Sequence, residues 1–198
     1  MTHSHTLSRV LRGDYWSRWI PALPLIFPLL LLPLAAGWGW RRLDPVSFGA
    51  NRETVLIVFL GYIAIVRLLL LDLMLYYISR RRRSVNLDLL HIVLMYLEVS
   101  VITVLYFALL FQLMDVFTLF RYSGTMPLAQ VQSLEVHPLS VALYISVELF
   151  TTLGLGDWVP QTLNAMWATG IEALLGFVQG GVFFAVLIYA HQTVRDES

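Results

Sequence analysis

The residues in this chain best suited to chemistry are two glycines set one residue apart, in Thr151-Thr152-Leu153-Gly154-Leu155-Gly156-Asp157. Gly154 and Gly156 permit backbone angles that a residue with a Cβ visits only under strain, so consecutive carbonyls can turn to one side instead of alternating. A row of carbonyl oxygens can replace the hydration shell of a cation. Inside hydrocarbon such a row is tolerated only where it is buried in protein or lines a watery passage. One strand cannot surround an ion, so this chemistry calls for several identical chains arranged about an axis.

The elements that must position this stretch follow from hydropathy. Leu139 to Phe150 is an apolar segment of twelve residues, too short to cross a bilayer. If it is a half-helix, its C-terminal end near Phe150 turns the negative end of the helix dipole toward a cation. Four longer segments surround it. The first has 22 uncharged residues between Arg18 and Arg41, with Pro21, Pro24, Pro28 and Pro33 expected to bend it. The second, Thr54 to Ser79, contains Arg67 and Asp72, which either pair within the bundle or snorkel to the interface. The third, Leu87 to Leu113, holds His91 and Glu98, assigned to packing or gating. The fourth, Gln161 to Tyr189, holds Glu172 and would be roughly 43 Å long as a helix, which implies tilt. The polar-mixed stretch Gln112 to His137 separates the third long segment from the short one.

Composition agrees with a membrane location. Of 198 residues, 58% are hydrophobic and 13% are charged, about half the charged fraction usual for a soluble domain. All 13 basic residues are arginines, balanced by 13 acidic ones, leaving no basic surface for nucleic acid. With no cysteine there is no disulfide, thiolate nucleophile or thiol metal site. With a cytoplasmic N-terminus, Arg9, Arg12, Arg18, Arg80 to Arg83 and Arg195 fall inside, while Arg41, Arg42, Arg52 and Arg121 fall outside. The bias places both termini in the cytoplasm. The run Arg80 to Arg83 reads as a short cytoplasmic loop that fixes orientation. Trp16, Trp19, Trp38, Trp40 and Trp158 read as interface anchors. The first residues lack the pattern of a cleaved secretory signal and are expected to be retained. No nucleophile elbow or zincin spacing occurs, so no enzyme is expected.

Leu143 to Asp157, LYISVELFTTLGLGD, resembles the pore helix and selectivity filter of potassium channels, and Pro160 stands where many members carry a proline. The resemblance implies an all-α membrane protein with four transmembrane helices, a re-entrant pore helix and an extended filter. Residues 1–86 would form the N-terminal segment and two peripheral helices. Residues 87–198 would form the pore domain, with outer helix 87–113, pore helix 139–150, filter 151–157 and inner helix 161–190. By resemblance, Thr152, Leu153, Gly154 and Leu155 coordinate potassium through their carbonyls, and Thr152 also through its hydroxyl. Gly156 completes the signature, with Thr151, Glu148 and Asp157 supporting it. In simple bacterial members the residue at Glu148 hydrogen-bonds to the one at Asp157. Gly176 falls at the hinge glycine of the inner helix. Glu172, one turn earlier on the same face, either faces the cavity as a cation-attracting ring or pairs with a neighbouring element.

The resemblance further implies a tetramer, so that the partners are three further copies, membrane lipid and potassium as permeant ion, with no other cofactor. The host would be a cell inner or plasma membrane. Leu155 replaces the commonest family residue, tyrosine, and so loses the ring's outward packing and hydroxyl bond. The alternatives are a weakly selective cation channel and a nonconducting scaffold or modulatory subunit. The first two long segments carry a single interior arginine, Arg67, instead of the repeated arginines of a voltage sensor. Their role is open at this point.

Overall fold

A computed structural model of the chain describes residues 23–80, 89–124 and 137–196. In chain order the elements are α1 (Leu23–Leu43), α2 (Pro45–Ala50), α3 (Arg52–Arg80), α4 (Leu89–Leu113), α5 (Val116–Leu119), β1 (Phe120–Tyr122), α6 (Pro138–Phe150), β2 (Trp158–Pro160) and α7 (Leu163–Asp196). The stretches Arg52–Leu70, Tyr96–Leu113 and Leu163–Ala185, on α3, α4 and α7, are long and apolar enough to cross a membrane. Helix α6 is a shorter apolar helix. The first expected crossing overlaps α1, a helix of 21 residues that is not among these three stretches.

Helix α1 continues through its prolines instead of breaking at them. Pro24 falls in the first turn, where a missing N–H has no intrahelical partner to lose. Pro28 and Pro33 each delete one ladder bond without ending the helix, and the buried Leu30 and Leu34 hold it against the bundle. The chain then turns sharply. Asp44 accepts a hydrogen bond from the Ser47 N–H at 3.0 Å, and Pro45 supplies the preset φ of a first helical position, so α2 starts at once.

Helix α4 is central, packing against α1, α6 and α7. Its aromatic residues Tyr106, Phe107 and Phe111 are buried with Phe120 of β1, and Phe111 meets Phe120 edge-on at 5.0 Å. The Tyr106 hydroxyl donates to the Phe59 carbonyl of α3 at 3.0 Å, which satisfies the one polar atom that this aromatic core buries there. The C-terminal end of α4 is capped from outside. Arg41 donates to the carbonyls of Gln112 (3.2 Å) and Leu113 (2.5 Å), while Arg52 donates to the Asp115 carbonyl at 3.3 Å and to the Thr118 hydroxyl. Cations at this end complement the helix dipole.

Two short strands were not anticipated by the all-α reading. β1 and β2 pair antiparallel, with Phe120 opposite Pro160, Arg121 opposite Val159 and Tyr122 opposite Trp158. Strands of three residues carry too little alternation to be seen in sequence. The helix boundaries also shift. Helix α7 starts at Leu163, because the Thr162 hydroxyl accepts from the Ala165 N–H at 3.1 Å, and it runs as one unbroken helix to Asp196, past the expected end at 190. The arginines Arg9, Arg12, Arg18 and Arg81 to Arg83, and Trp16 and Trp19, lie outside the described residues.

Candidate functional site

The site is built on the end of α6. Pro138 occupies its first turn and His137 caps it, the imidazole Nδ1 accepting from the Leu139 N–H at 3.2 Å. Val141, Ala142, Ile145, Ser146 and Glu148 are its buried face, set against α4 and α7. Beyond Phe150 the chain folds back on the helix. The N–H groups of Thr151, Thr152 and Leu153 donate to the carbonyls of Val147, Leu149 and Glu148, each at 3.0 Å.

Backbone conformation then alternates. Thr152 (φ 56°), Gly154 (φ 56°) and Gly156 (φ 75°) are in the left-handed region, and Leu153 and Leu155 between them are not. Alternation of this kind is what turns successive carbonyls to one side. The sequence reading identified both glycines but not Thr152, since threonine gives no sign of a positive φ. No described residue donates a hydrogen bond to the carbonyls of Thr152, Leu153, Gly154 or Leu155. The Leu153 and Leu155 side chains are 65% and 64% exposed. The strand is therefore anchored to α6 through its donors and leaves four consecutive acceptors open.

The far end of the strand is tied down by groups that come from three places in the chain. Glu148 Oε1 accepts from the Gly156 N–H at 3.0 Å, and the Ser123 hydroxyl donates to the Gly156 carbonyl at 2.9 Å. The Ser123 N–H donates to the Asp157 carbonyl at 2.6 Å. The Asp157 carboxylate accepts from the Tyr144 hydroxyl at 2.8 Å, while Glu148 holds the Gly156 backbone. Tyr144 is four residues before Glu148, so the two face different neighbours from adjacent turns of α6. Burial and then the bond to Asp157 push the Tyr144 phenol up to about 12. Sequence reasoning missed both Tyr144 and Ser123. Trp158, expected as an interface anchor, packs in β2 with its ring 5.3 Å from Tyr122 and 6.1 Å from Phe117.

Helix α7 presses on the back of this assembly. A Cβ built on Gly176 would lie 2.0 Å from the Phe150 carbonyl oxygen, so glycine here is what lets α7 approach the end of α6. Glu172, one turn earlier, is fully buried, and the Ser146 hydroxyl of α6 bonds to its Oε1. Of the two alternatives for Glu172, a pairing with a neighbouring element is present in this chain. Ser146 also lies 2.9 Å from the Val104 carbonyl, so its hydroxyl joins α4, α6 and α7.

Arg67 pairs within the bundle, one of the two arrangements expected of it. Its guanidinium donates to Gln179 Oε1 on α7, and the side chains of Asp72 and His91 lie outside the described residues. Glu98 is buried on α4. Among the described residues no group of three or more His, Asp or Glu side chains is placed to hold a metal ion. No family model, curated protein or solved structure matches the chain.

Proposed function

We propose that the protein is one subunit of a potassium-selective channel, in which four copies conduct dehydrated ions passively and in single file. The observation that carries this reading is the strand Thr152–Leu155, whose four carbonyls have no partner among the described residues while its flanking N–H groups are held by α6. Bare carbonyls in alternating conformation stabilise a desolvated cation if further copies close the ring. Exposed Leu153 and Leu155 fit the same assembly, since an irregular strand facing lipid would leave its polar backbone unsatisfied and a neighbouring copy would cover it. The choice of potassium rests on the resemblance of residues 143–157 to potassium-channel filters.

In this arrangement α1, α3, α4 and α7 cross the membrane, α6 enters and returns, and both termini are cytoplasmic in a cell inner or plasma membrane. Arg41, Arg52 and the β1–β2 pair would share the outer end, where the arginines cap α4 and the filter opens. Phe150, at the C-terminal end of α6, would place partial negative charge beneath the filter.

The test is ion flux into liposomes holding the purified chain, under a potassium gradient and then a sodium gradient, with Gly154→Ala as control. Potassium flux should exceed sodium flux by roughly tenfold or more, and the substitution should abolish it. Equal fluxes would indicate a weakly selective cation channel. Absence of flux, or flux untouched by the substitution, would remove the filter assignment and favour a scaffold or modulatory subunit.

A further inference from the structure

Gln179 lies three residues beyond Gly176 on α7 and is shared by three helices. Its Oε1 accepts from the Arg67 guanidinium of α3, and its Nε2 donates to the Tyr96 carbonyl at 3.1 Å and the Ser100 hydroxyl at 2.7 Å, both on α4. The Ser100 hydroxyl in turn donates to the Tyr96 carbonyl at 2.7 Å. The amide orientation is determined by chemistry, because a guanidinium has no acceptor and only the amide oxygen can face it. A carboxylate at this position would lose the donors to α4, and an amine would lose the acceptor for Arg67. One turn further along, Phe183 stacks on Tyr96 with ring centroids 4.2 Å apart.

These contacts divide α7 into two attachments. Up to Gly176 the helix is held to α6, through Glu172 with Ser146 and through the close approach to Phe150. Beyond Gly176 it is held to α4, and through Arg67 to α3. Bending at Gly176 away from α4 must break the part-buried bonds at Gln179.

We infer that Arg67 and Gln179 form a latch by which the peripheral helix α3 holds the lower half of α7 unbent, making Arg67 a positioning residue for the gate. The inference rests on the channel reading and gives α3 a task within it. Arg67 supplies a charge-assisted bond inside an apolar span, so anything that moves α3 against α7 acts on the pore through this contact.

The experiment uses the full chain in planar bilayers, as wild type, Arg67→Gln, Gln179→Leu and the double variant. Open probability is expected to rise about tenfold in each single variant, and the double variant to exceed neither by much, because both break one latch. Unitary conductance and reversal potential should stay at the wild-type values. Because the chain has no cysteine, nitroxides can also be attached at introduced cysteines replacing the exposed Leu69 and Ile188, and the distance between them should broaden when Arg67→Gln is added. An open probability that is unchanged or falls, or that changes additively, overturns the latch. If wild type carries no current the channel reading fails, and the spin-label distance still decides whether Arg67 positions α7: an unbroadened distribution overturns that too.

Discussion

Helices α6 and α7 meet through backbone and buried polar atoms, whereas around Gly37 α1 meets its neighbours through side chains that can give way. Two glycines show the difference. At Gly176 an added Cβ meets the Phe150 carbonyl oxygen at 2.0 Å, and that oxygen belongs to the helix end that carries the filter. At Gly37 on α1 an added Cβ meets the Leu113 side chain at 2.8 Å and the Phe59 ring at 3.1 Å. A leucine methyl can rotate aside, but a carbonyl moves only with its helix. The contact at Gly176 is therefore specified by position and the contact at Gly37 by shape, and the Gln179 cluster joins α7 to α3 and α4 by polar bonds.

The sharpest way to break this contrast is within the filter. Gly154 has open space around it but a φ of +56°, so alanine there is strained without a clash. A cost of about 1–2 kcal/mol per copy, met four times in the proposed tetramer, would exceed the roughly 2.7 kcal/mol that a hundredfold loss requires. Potassium flux from Gly154→Ala liposomes should accordingly fall to the protein-free background. Gly61→Ala on α3, where nothing lies within 4 Å, should leave flux unchanged.

The next effect is on stability. Gly176→Ala should destabilise the protein by about 1–3 kcal/mol, since α7 must shift off α6, and Gly37→Ala should cost less. Thermal unfolding in detergent compares them; equal losses would erase the distinction between a yielding and an unyielding neighbour. Glu148→Ala leaves the Gly156 N–H without its acceptor and should cost about 1–3 kcal/mol at the filter, with Glu148→Gln, which keeps an acceptor oxygen, recovering much of it. Sustained potassium current over time reads this out.

Tyr144→Phe should have the smallest effect at neutral pH, removing one exposed bond to Asp157. Its signature is in alkali. The folded protein holds the Tyr144 proton more tightly than the unfolded chain, with the phenol pushed from 10.0 up to about 12. The stabilisation is thus fully present below about pH 10 and is lost as pH rises through about 12. Unfolding curves of wild type should weaken across that window, and the phenylalanine variant should lack this component.

Much of the site was legible because its signals are local. The apolar run that ends at Phe150, the glycines at 154 and 156 and the long segment after Pro160 each declare their conformation within a few residues. Thr152 did not, because its positive φ is imposed by the turn at the end of α6 and not by its own type. The Tyr144 and Gly156 partners of Asp157 and Glu148 were hidden for another reason. Both acids were identified, but whether a carboxylate meets another carboxylate, a tyrosine or a backbone N–H depends on offsets of a few ångströms. Ser123 was invisible for a related cause: it reaches the filter only because β1 pairs with β2.

By itself the sequence determined that most of this chain shuns water, that one apolar helix is too short to cross, and that the strand after it can turn its carbonyls one way. These follow from side-chain polarity and the steric effect of a missing Cβ, which act over neighbouring residues. Only the tertiary structure decided that Glu172 pairs inward with Ser146, that Gly176 is needed for contact with Phe150, and that Arg67 is joined to Gln179 across 112 positions of chain. Such partners are chosen by how whole helices pack, and a buried polar group takes whichever complementary atom that packing brings within reach.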